Sequence, residues 1–290
     1  MLPDFLLTAL GLLGLVVGVV VDVRTKEIPD FVTYGMIFAG FGVRLIHSVL
    51  TGVWSYFLHA IPVFIIMAVL GCGLYYAKQW GGGDAKLLMG LGVLFATKPS
   101  FVGGAEQFLR FPFYLLINIL LFGALYGVIY GIVLALQHKK KFLKEITFLN
   151  RQKTTRRMKV IALFLALVLF GLSYSFLEDL RMRLIVNSGV LFILLFPYIK
   201  IFVKAIENSC LYHVKSVEDV TEGDWVEQDV ILKGKMIYKR RPFGIEKSDI
   251  QRLKDAHVQK ILVKEGIPFA PPFLVGVLVT LWLGGIAVFW

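Results

Sequence analysis

Long stretches of apolar residues are the feature that most constrains how this chain folds. Most of them run for about 17 to 26 residues, the length of a helix that crosses a hydrocarbon core roughly 30 Å thick. The 290 residues are 57% hydrophobic, whereas soluble domains are roughly 45–50% apolar. The sequence therefore predicts an all-α polytopic membrane protein with about eight membrane segments, at 5–21, 31–49, 56–77, 84–97, 111–136, 160–177, 184–203 and 272–290.

The positive charge of the chain is concentrated in one place. The formal net charge is +11, and nine lysines and arginines lie between His138 and Lys159 with a single acid, Glu145. Short basic loops mark the cytoplasmic side of a membrane and attract anionic lipid heads. We interpret 138–159 as a cytoplasmic loop near anionic lipids, with no nucleic-acid partner. The same rule puts the N-terminus outside, because Arg24 and Lys26 follow the first segment.

A polar stretch near the C-terminus interrupts the apolar pattern. Within 205–267, short strands with a tight turn at Lys233-Gly234 are expected in 221–238, a helix at 248–258 and a strand at 260–266. The predicted organisation is a small cytoplasmic α+β domain inserted into the membrane protein. Its boundaries are a membrane domain at 1–204 with a motif-bearing core at 5–136, the α+β domain at 205–268, and a C-terminal transmembrane helix at 269–290.

The two cysteines do not point to a metal site or a disulfide. Cys72 lies in an apolar segment and Cys210 in the polar stretch, and no Cys or His spacing matches a metal motif. No metal or other cofactor is expected.

Two aspartates stand where a membrane segment meets its loop. Asp22 ends the first segment and Asp84 begins the fourth. Ionisable groups at membrane depth are costly and are functional candidates by default. If the first segment runs from outside to inside, the fourth segment starts on the inside, so both carboxylates lie at the cytoplasmic face. A pair of neighbouring carboxyl groups holds one proton, so one member activates water while the other polarises a carbonyl. The residues leave open which aspartate is the base.

The fourth segment is unusual in length and in what precedes it. It spans 84–97, which is about 21 Å as a helix, so it either continues past Pro99 or begins below the membrane surface. The glycines at 81–83 come directly before Asp84. Without side chains they let an extended substrate backbone approach the carboxylate, and they can adopt conformations that other residues cannot.

These residues also carry a resemblance to a known family. GGGDAKLLMGLG resembles the GxGD motif of membrane aspartyl peptidases, in the form found in type IV prepilin peptidases and archaeal preflagellin peptidases. DVRTKEIPD resembles that family's first-aspartate motif, in which basic residues and Ile-Pro follow the aspartate. The resemblance covers residues 5–136 and is closest to the archaeal branch.

The resemblance implies a six-helix peptidase core with Asp22 and Asp84 as the catalytic pair. It implies that pilin-like or flagellin-like precursors are cut on the cytoplasmic side, between a short basic leader and an apolar helix. The supporting motif residues are Gly81, Gly82, Gly83, Lys86, Arg24, Ile28 and Pro29, and the candidates for contact with a basic leader are Glu27 and Asp30.

This chain departs from the family pattern at three points. It lacks the cysteine-rich segment found between the first two helices of bacterial enzymes, so methyltransferase activity is not expected. Asp30 stands where the family usually has asparagine. The insert and the last helix exceed the six-helix core, as in an archaeal subgroup with such an extension, and IPFAPPFLVG at 267–276 resembles the point at which that extension returns to the membrane.

Three other functions are weighed against this one. A protease closer to the presenilin and signal-peptide-peptidase group would carry a YD and a PAL motif, but Asp22 follows VVV and no PAL occurs. A transporter with the aspartates as a proton relay would show broken helices in matching halves. A lipid-binding scaffold built on the basic loop would leave the GGGD motif without a purpose.

Overall fold

The computed structural model describes residues 1–103, 109–232, 234–241 and 244–283, and the chain is mostly helical with a small sheet region. Within these ranges six helices are long and apolar enough to cross a membrane. The prediction of a mainly helical polytopic membrane protein is therefore confirmed, while the number of membrane segments stays a prediction. The chain divides into two compact units, one formed by Met1–Val128 with the chain from Ile267 onwards, the other by Ile129–Gly266.

The regular elements follow one another as helices, then short strands with one helix among them, then a last helix. The helices are α1 (Leu2–Thr25), α2 (Asp30–Thr51), α3 (Ser55–Leu58), α4 (Ala60–Tyr76), α5 (Gly82–Leu94), α6 (Arg110–Gln137), α7 (Lys139–Arg151), α8 (Lys153–Phe176), α9 (Leu180–Ile206), α10 (Lys247–Asp255) and α11 (Ala270–Leu283). The strands are β1 (Tyr212–Ser216), β2 (Trp225–Val226), β3 (Val230–Leu232), β4 (Lys235–Tyr238) and β5 (Lys260–Lys264). The predicted last segment, 272–290, lies partly outside the described residues.

Helix α5 forms the centre of the first unit. Its 13 residues extend about 20 Å at 1.5 Å per residue, so it is too short to cross a bilayer by itself. Leu87, Leu88 and Leu91 have no exposed surface. The helix ends at Leu94, so of the two alternatives for this segment, continuation as a helix past Pro99 is excluded.

Helix α1 lies antiparallel to α5. A Cβ placed on Gly11, in the first half of α1, would lie 3.0 Å from the Phe95 ring at the end of α5. At the other end, a Cβ placed on Gly18, in the last third of α1, would lie 3.7 Å from Ile28, and one placed on Gly83, at the start of α5, would lie 2.9 Å from it. Since the two helices come together at each end, they run in opposite directions. This is the arrangement that the predicted topology requires of the first and fourth segments.

A buried arginine closes the far end of α5. The Arg44 side chain comes from α2 and has no exposed surface. Its guanidinium donates to the Val93 carbonyl at 2.8 Å and to the Leu94 carbonyl at 3.1 Å. It also donates to the Tyr56 carbonyl at 2.9 Å and to the Thr97 hydroxyl. The last carbonyls of a helix have no partner within the helix, so Arg44 supplies donors that water cannot supply in the interior.

The basic stretch at 138–159, described above as a loop, is helical. Helix α7 occupies most of it, and α8 begins at Lys153. Phe142, Ile146 and Leu149 lie on one face of α7 and pack against α9. These positions follow the i, i+4, i+7 spacing of an amphipathic helix. The high density of lysine and arginine around them favoured the prediction of a loop.

The polar stretch forms two small sheets. Strand β5 lies between β1 and β2, and both neighbours are antiparallel to it, while β3 and β4 form a separate hairpin. The expected helix and final strand correspond to α10 and β5, and β1 was missed. Of the turn predicted at Lys233-Gly234, Lys233 lies outside the described residues, and Gly234 has a φ of 80°. The predicted domain boundaries at 204/205 and 268/269 stay predictions.

We expect replacement of Arg44 by methionine to destabilise the first unit strongly. Methionine fills similar space but leaves the carbonyls of Val93 and Leu94 without donors, at a cost of about 1–3 kcal/mol for each buried unpaired group. The measurement is the thermal unfolding midpoint in detergent. Arg151→Met, which removes an exposed arginine, is the control and should leave the midpoint near the wild-type value. An equal, small effect of both variants would contradict the role assigned to Arg44.

Candidate active site

Asp22 lies in the last turn of α1. The helix ends because Lys26 adopts a left-handed conformation with a φ of 61°, and the Lys26 N–H donates to the Asp22 carbonyl at 2.7 Å. Pro29 then caps the start of α2. The Asp22 side chain points into the protein and only 4% of the residue is exposed.

Asp84 lies in the first turn of α5. Gly81 is the N-cap, and its backbone N–H donates to Oδ2 of Asp84 at 3.0 Å. This contact is one half of a capping box, in which an acid at the third helical position bonds back to the N-cap. The positive end of the helix dipole also attracts the carboxylate. Asp84 is buried, whereas Gly81 is exposed, so the glycine edge of the site is open to the surroundings.

The two motifs pack directly against each other. A Cβ placed on Gly83 would lie 2.9 Å from Cβ of Ile28, closer than real side chains approach. Ile28 is itself buried. The Ile-Pro of the first motif therefore rests on the glycines of the second, and this contact helps to bring the two aspartates together.

The glycines are used for close approach and not for unusual backbone angles. None of Gly81, Gly82 and Gly83 has a positive φ. The expectation that they adopt conformations forbidden to other residues is therefore wrong. The missing side chain at Gly83 is what the packing requires, and a Cβ at Gly81 would lie 3.2 Å from the carboxylate of Asp84.

The other candidate residues of the two motifs lie at the rim. Lys86 forms an ion pair with Asp30 at 2.5 Å, and its ammonium lies 5.0 Å from the centre of the Tyr34 ring. The Lys86 charge is thus engaged by Asp30. Arg24, in the last turn of α1, and Glu27, on the turn between α1 and α2, are both exposed.

A segment that sequence reasoning did not connect with the site also reaches it. The backbone N–H of Ala270, the first residue of α11, donates to Oδ2 of Asp22 at 2.7 Å. The ring of Trp80, directly before the glycines, lies 5.8 Å from that of Phe269 and 5.3 Å from that of Phe273. The prolines before an apolar run signal a helix start, but nothing in the sequence indicates that this start meets Asp22.

The arrangement supports acid–base chemistry by two carboxyl groups. Each is buried, each accepts a backbone hydrogen bond, and the two are close enough to influence each other's charge. Such a pair shares protons as a unit. In the described ranges no group of three or more His, Cys, Asp and Glu side chains is placed to hold a metal ion.

Comparison with known sequences gives the same family as the two motifs. Residues 9–132 match the type IV leader peptidase family. The resemblance drawn from the motifs is therefore confirmed.

Similar relatives include three preflagellin peptidases from methanogenic archaea. That of Methanococcus voltae is 35% identical over 86 residues, which is 30% of this chain and 36% of the relative. That of Methanococcus maripaludis is 35% identical over 91 residues, and that of Methanocaldococcus jannaschii 34% over 89 residues, each covering 29% of this chain and 36% of the relative. The chain thus spans about a third of the length of the curated relatives that it matches.

We expect Gly83→Ala to destabilise the site and Gly82→Ala to be tolerated. Alanine normally favours a helix over glycine, but at position 83 its methyl group would meet Ile28, and overpacking costs about 1–3 kcal/mol. At position 82 the nearest atom, on Tyr75, would lie at an ordinary 3.6 Å. Thermal unfolding of both variants measures the difference. Equal midpoints would show that the two motifs do not pack as described.

Proposed function

Since residues 9–132 match the type IV leader peptidase family, we propose that this chain is a membrane-embedded aspartyl endopeptidase. Its substrates are precursors of the prepilin and preflagellin type, from which it removes a short basic leader. The observation that carries the proposal is the placement of Asp22 and Asp84, two buried acids from two motifs that pack against each other, at adjacent ends of antiparallel helices.

The mechanism uses both carboxyl groups of the pair. The ionised member takes a proton from water as the water oxygen attacks the scissile carbonyl carbon. The protonated member donates a hydrogen bond to the carbonyl oxygen and stabilises the negative charge that develops there. When the tetrahedral intermediate collapses, the carboxyl group that took the proton from water passes it to the leaving nitrogen, the C–N bond breaks, and the starting protonation state of the pair is restored. Because a coupled pair titrates as a unit, neither aspartate is assigned as the base.

The open glycine edge provides access for an extended peptide. Gly81 is exposed directly beside the Asp84 carboxylate. A peptide backbone at this edge meets no side chain from residues 81–83, so its carbonyl can approach the acid closely. Val23, near the end of α1, and Phe31, at the start of α2, are exposed apolar residues. They suit a substrate whose leader is followed by an apolar helix.

We place the active site on the cytoplasmic face, with the N-terminus outside. The support is the positive charge of 138–159, since basic segments between spans stay in the cytoplasm. In the structure α7 presents Phe142, Ile146 and Leu149 to α9. Its lysines then serve as the contact for anionic lipid heads, at roughly 1 kcal/mol for each charge near the surface.

We expect Asp22→Asn and Asp84→Asn each to abolish cleavage while the protein still folds. Asparagine keeps the shape of the side chain but can neither take nor supply the proton. The assay uses purified protein in detergent and a precursor whose basic leader ends in glycine before an apolar helix. Wild-type turnover should fall by at least about a thousandfold in either variant, the upper range for a missing acid–base group being about 10⁴.

Asp4→Asn is the matched control, because Asp4 lies on α1 at the opposite end from Asp22. Its carboxylate accepts hydrogen bonds from the Tyr56 hydroxyl at 2.6 Å and the Ser100 N–H at 3.1 Å. We expect this variant to keep its activity even if it is less stable. Wild-type turnover by Asp22→Asn or Asp84→Asn would show that the pair is not catalytic. Proton flux in liposomes without peptidase activity would favour the transporter instead.

We expect Asp30→Asn to weaken binding of a basic leader without slowing the chemistry. Asp30 is 64% exposed at the rim, where a leader lysine can compete with Lys86 for it. An exposed pair is worth up to about 1 kcal/mol, so KM should rise by up to roughly fivefold with kcat unchanged. Glu27→Gln tests the neighbouring acid in the same way. The rise should vanish for a precursor whose leader lysines are replaced by glutamine, and a persistent rise would exclude a contact with the leader charge.

A further inference from the structure

The start of helix α11 holds the carboxylate of Asp22. The Ala270 N–H donates to Oδ2 at 2.7 Å, and the Phe269 backbone N–H makes a second, weaker hydrogen bond to the same carboxylate. The first turn of α11 has few donors to offer, because Pro271 and Pro272 follow and proline carries no N–H. Since the first N–H groups of a helix have no partner within it, Asp22 satisfies the Ala270 donor while that donor fixes the carboxylate.

Helix α11 is anchored along its length, so this contact does not depend on a loosely attached end. The Asn118 side chain of α6 donates to the Thr280 hydroxyl at 2.8 Å, and both are buried. A Cβ placed on Gly276 would lie 2.9 Å from the backbone of Ile119. Phe273 has no exposed surface. Gly276 lets α11 lie close against α6. The hydrogen bond between Asn118 and Thr280 fixes the position of α11 along α6, and with it the position of the Ala270 N–H.

The same segment also contacts the second motif. The rings of Phe269 and Phe273 pack against Trp80, the residue before Gly81. Phe269 also fills the space above Gly123, where a Cβ would come within 2.7 Å of its ring. The start of α11 and the residue before it therefore contact both Asp22 and Trp80, which directly precedes the glycines of the second motif.

We propose that the Ala270 N–H, presented by α11, is a positioning group for the catalytic carboxylate of Asp22. This inference rests on the proposed function. It extends the active site to a residue far beyond the segment that matches the family, 9–132. A hydrogen bond to an ionised group is stronger than one between neutral groups. It holds the Asp22 carboxylate in the orientation needed to share a proton with Asp84.

The test replaces Ala270 by proline, which removes the N–H. Because Ala270 is buried, the added ring atoms also cost stability, and the stability cycle below separates that cost from the loss of the hydrogen bond. Proline is favoured at the first position of a helix, so α11 keeps its start. Ala270→Gly is the matched control, because it keeps the N–H. We expect kcat of Ala270→Pro to fall by about tenfold to a hundredfold, the range for a hydrogen bond to a charged group. KM should stay within about twofold, since the contact does not involve the substrate, and Ala270→Gly should keep most of its kcat.

A stability cycle tests the contact without any substrate. Thermal unfolding is measured for wild type, Ala270→Pro, Asp22→Ala and the double variant. If the Ala270 N–H donates to Asp22, the decrease in midpoint caused by proline should be much smaller when Asp22 is already absent, which is a non-additive result. Additive decreases would show that the contact does not exist and would overturn the proposal.

The outcomes separate this inference from the proposed function. If wild type cleaves the precursor and Ala270→Pro cleaves it equally well or faster, the N–H does not position Asp22, although the protein is a peptidase. An increase would mean that the segment obstructs the site. If wild type cleaves nothing, the proposed function fails and the catalytic role of Ala270 fails with it, while the cycle still reports on the contact.

Discussion

The structure of the first unit depends on burying a helix that is too short to span the membrane. Helix α5 has 13 residues. Its C-terminal end is buried among other helices, where water cannot complete its hydrogen bonds, while its N-terminal end begins at the exposed Gly81. Unpaired backbone groups at such depth cost several kcal/mol each. The chain resolves this at one end with the Arg44 guanidinium on the carbonyls of Val93 and Leu94, and at the other with the Asp84 carboxylate on the Gly81 N–H. The catalytic candidate is thus also part of the solution to a folding problem.

The second carboxylate follows the same rule. Asp22 accepts the N–H of Ala270 at the start of α11, as Asp84 accepts that of Gly81 at the start of α5. Each carboxylate therefore contacts a helix N-terminus, where the dipole attracts negative charge, although Asp22 itself belongs to the last turn of α1. Two carboxylates that repel each other are held close because each is attached to the positive end of a different helix. The geometry required for shared-proton chemistry then follows from ordinary capping interactions.

Much of this could be predicted from local sequence, and the remainder could not. The lengths of apolar blocks gave the long helices, and GGGD with the Ile-Pro motif identified the two aspartates. The loop expected at 138–159 is wrong because its high charge coexists with the i, i+4, i+7 spacing of Phe142, Ile146 and Leu149, which forms the apolar face of a helix. The Arg44 contacts with α5 span about 50 residues of sequence and depend on how α2 packs. No local sequence pattern indicates that Arg44 will bind the end of α5, because that contact depends on the tertiary packing of α2 against α5.

The contact of Ala270 with Asp22 is the most distant of these, at a separation of 248 residues, and it bears on what the C-terminal part of the chain contributes. The family match ends at residue 132, so sequence similarity would assign the rest to an accessory role. Yet the chain returns to the first unit at Ile267, and within a few residues its backbone meets the first aspartate and its aromatic rings meet Trp80. A backbone donor leaves no side-chain signature, because any residue except proline supplies it. A catalytic centre can therefore include a residue whose identity carries almost no information about its role.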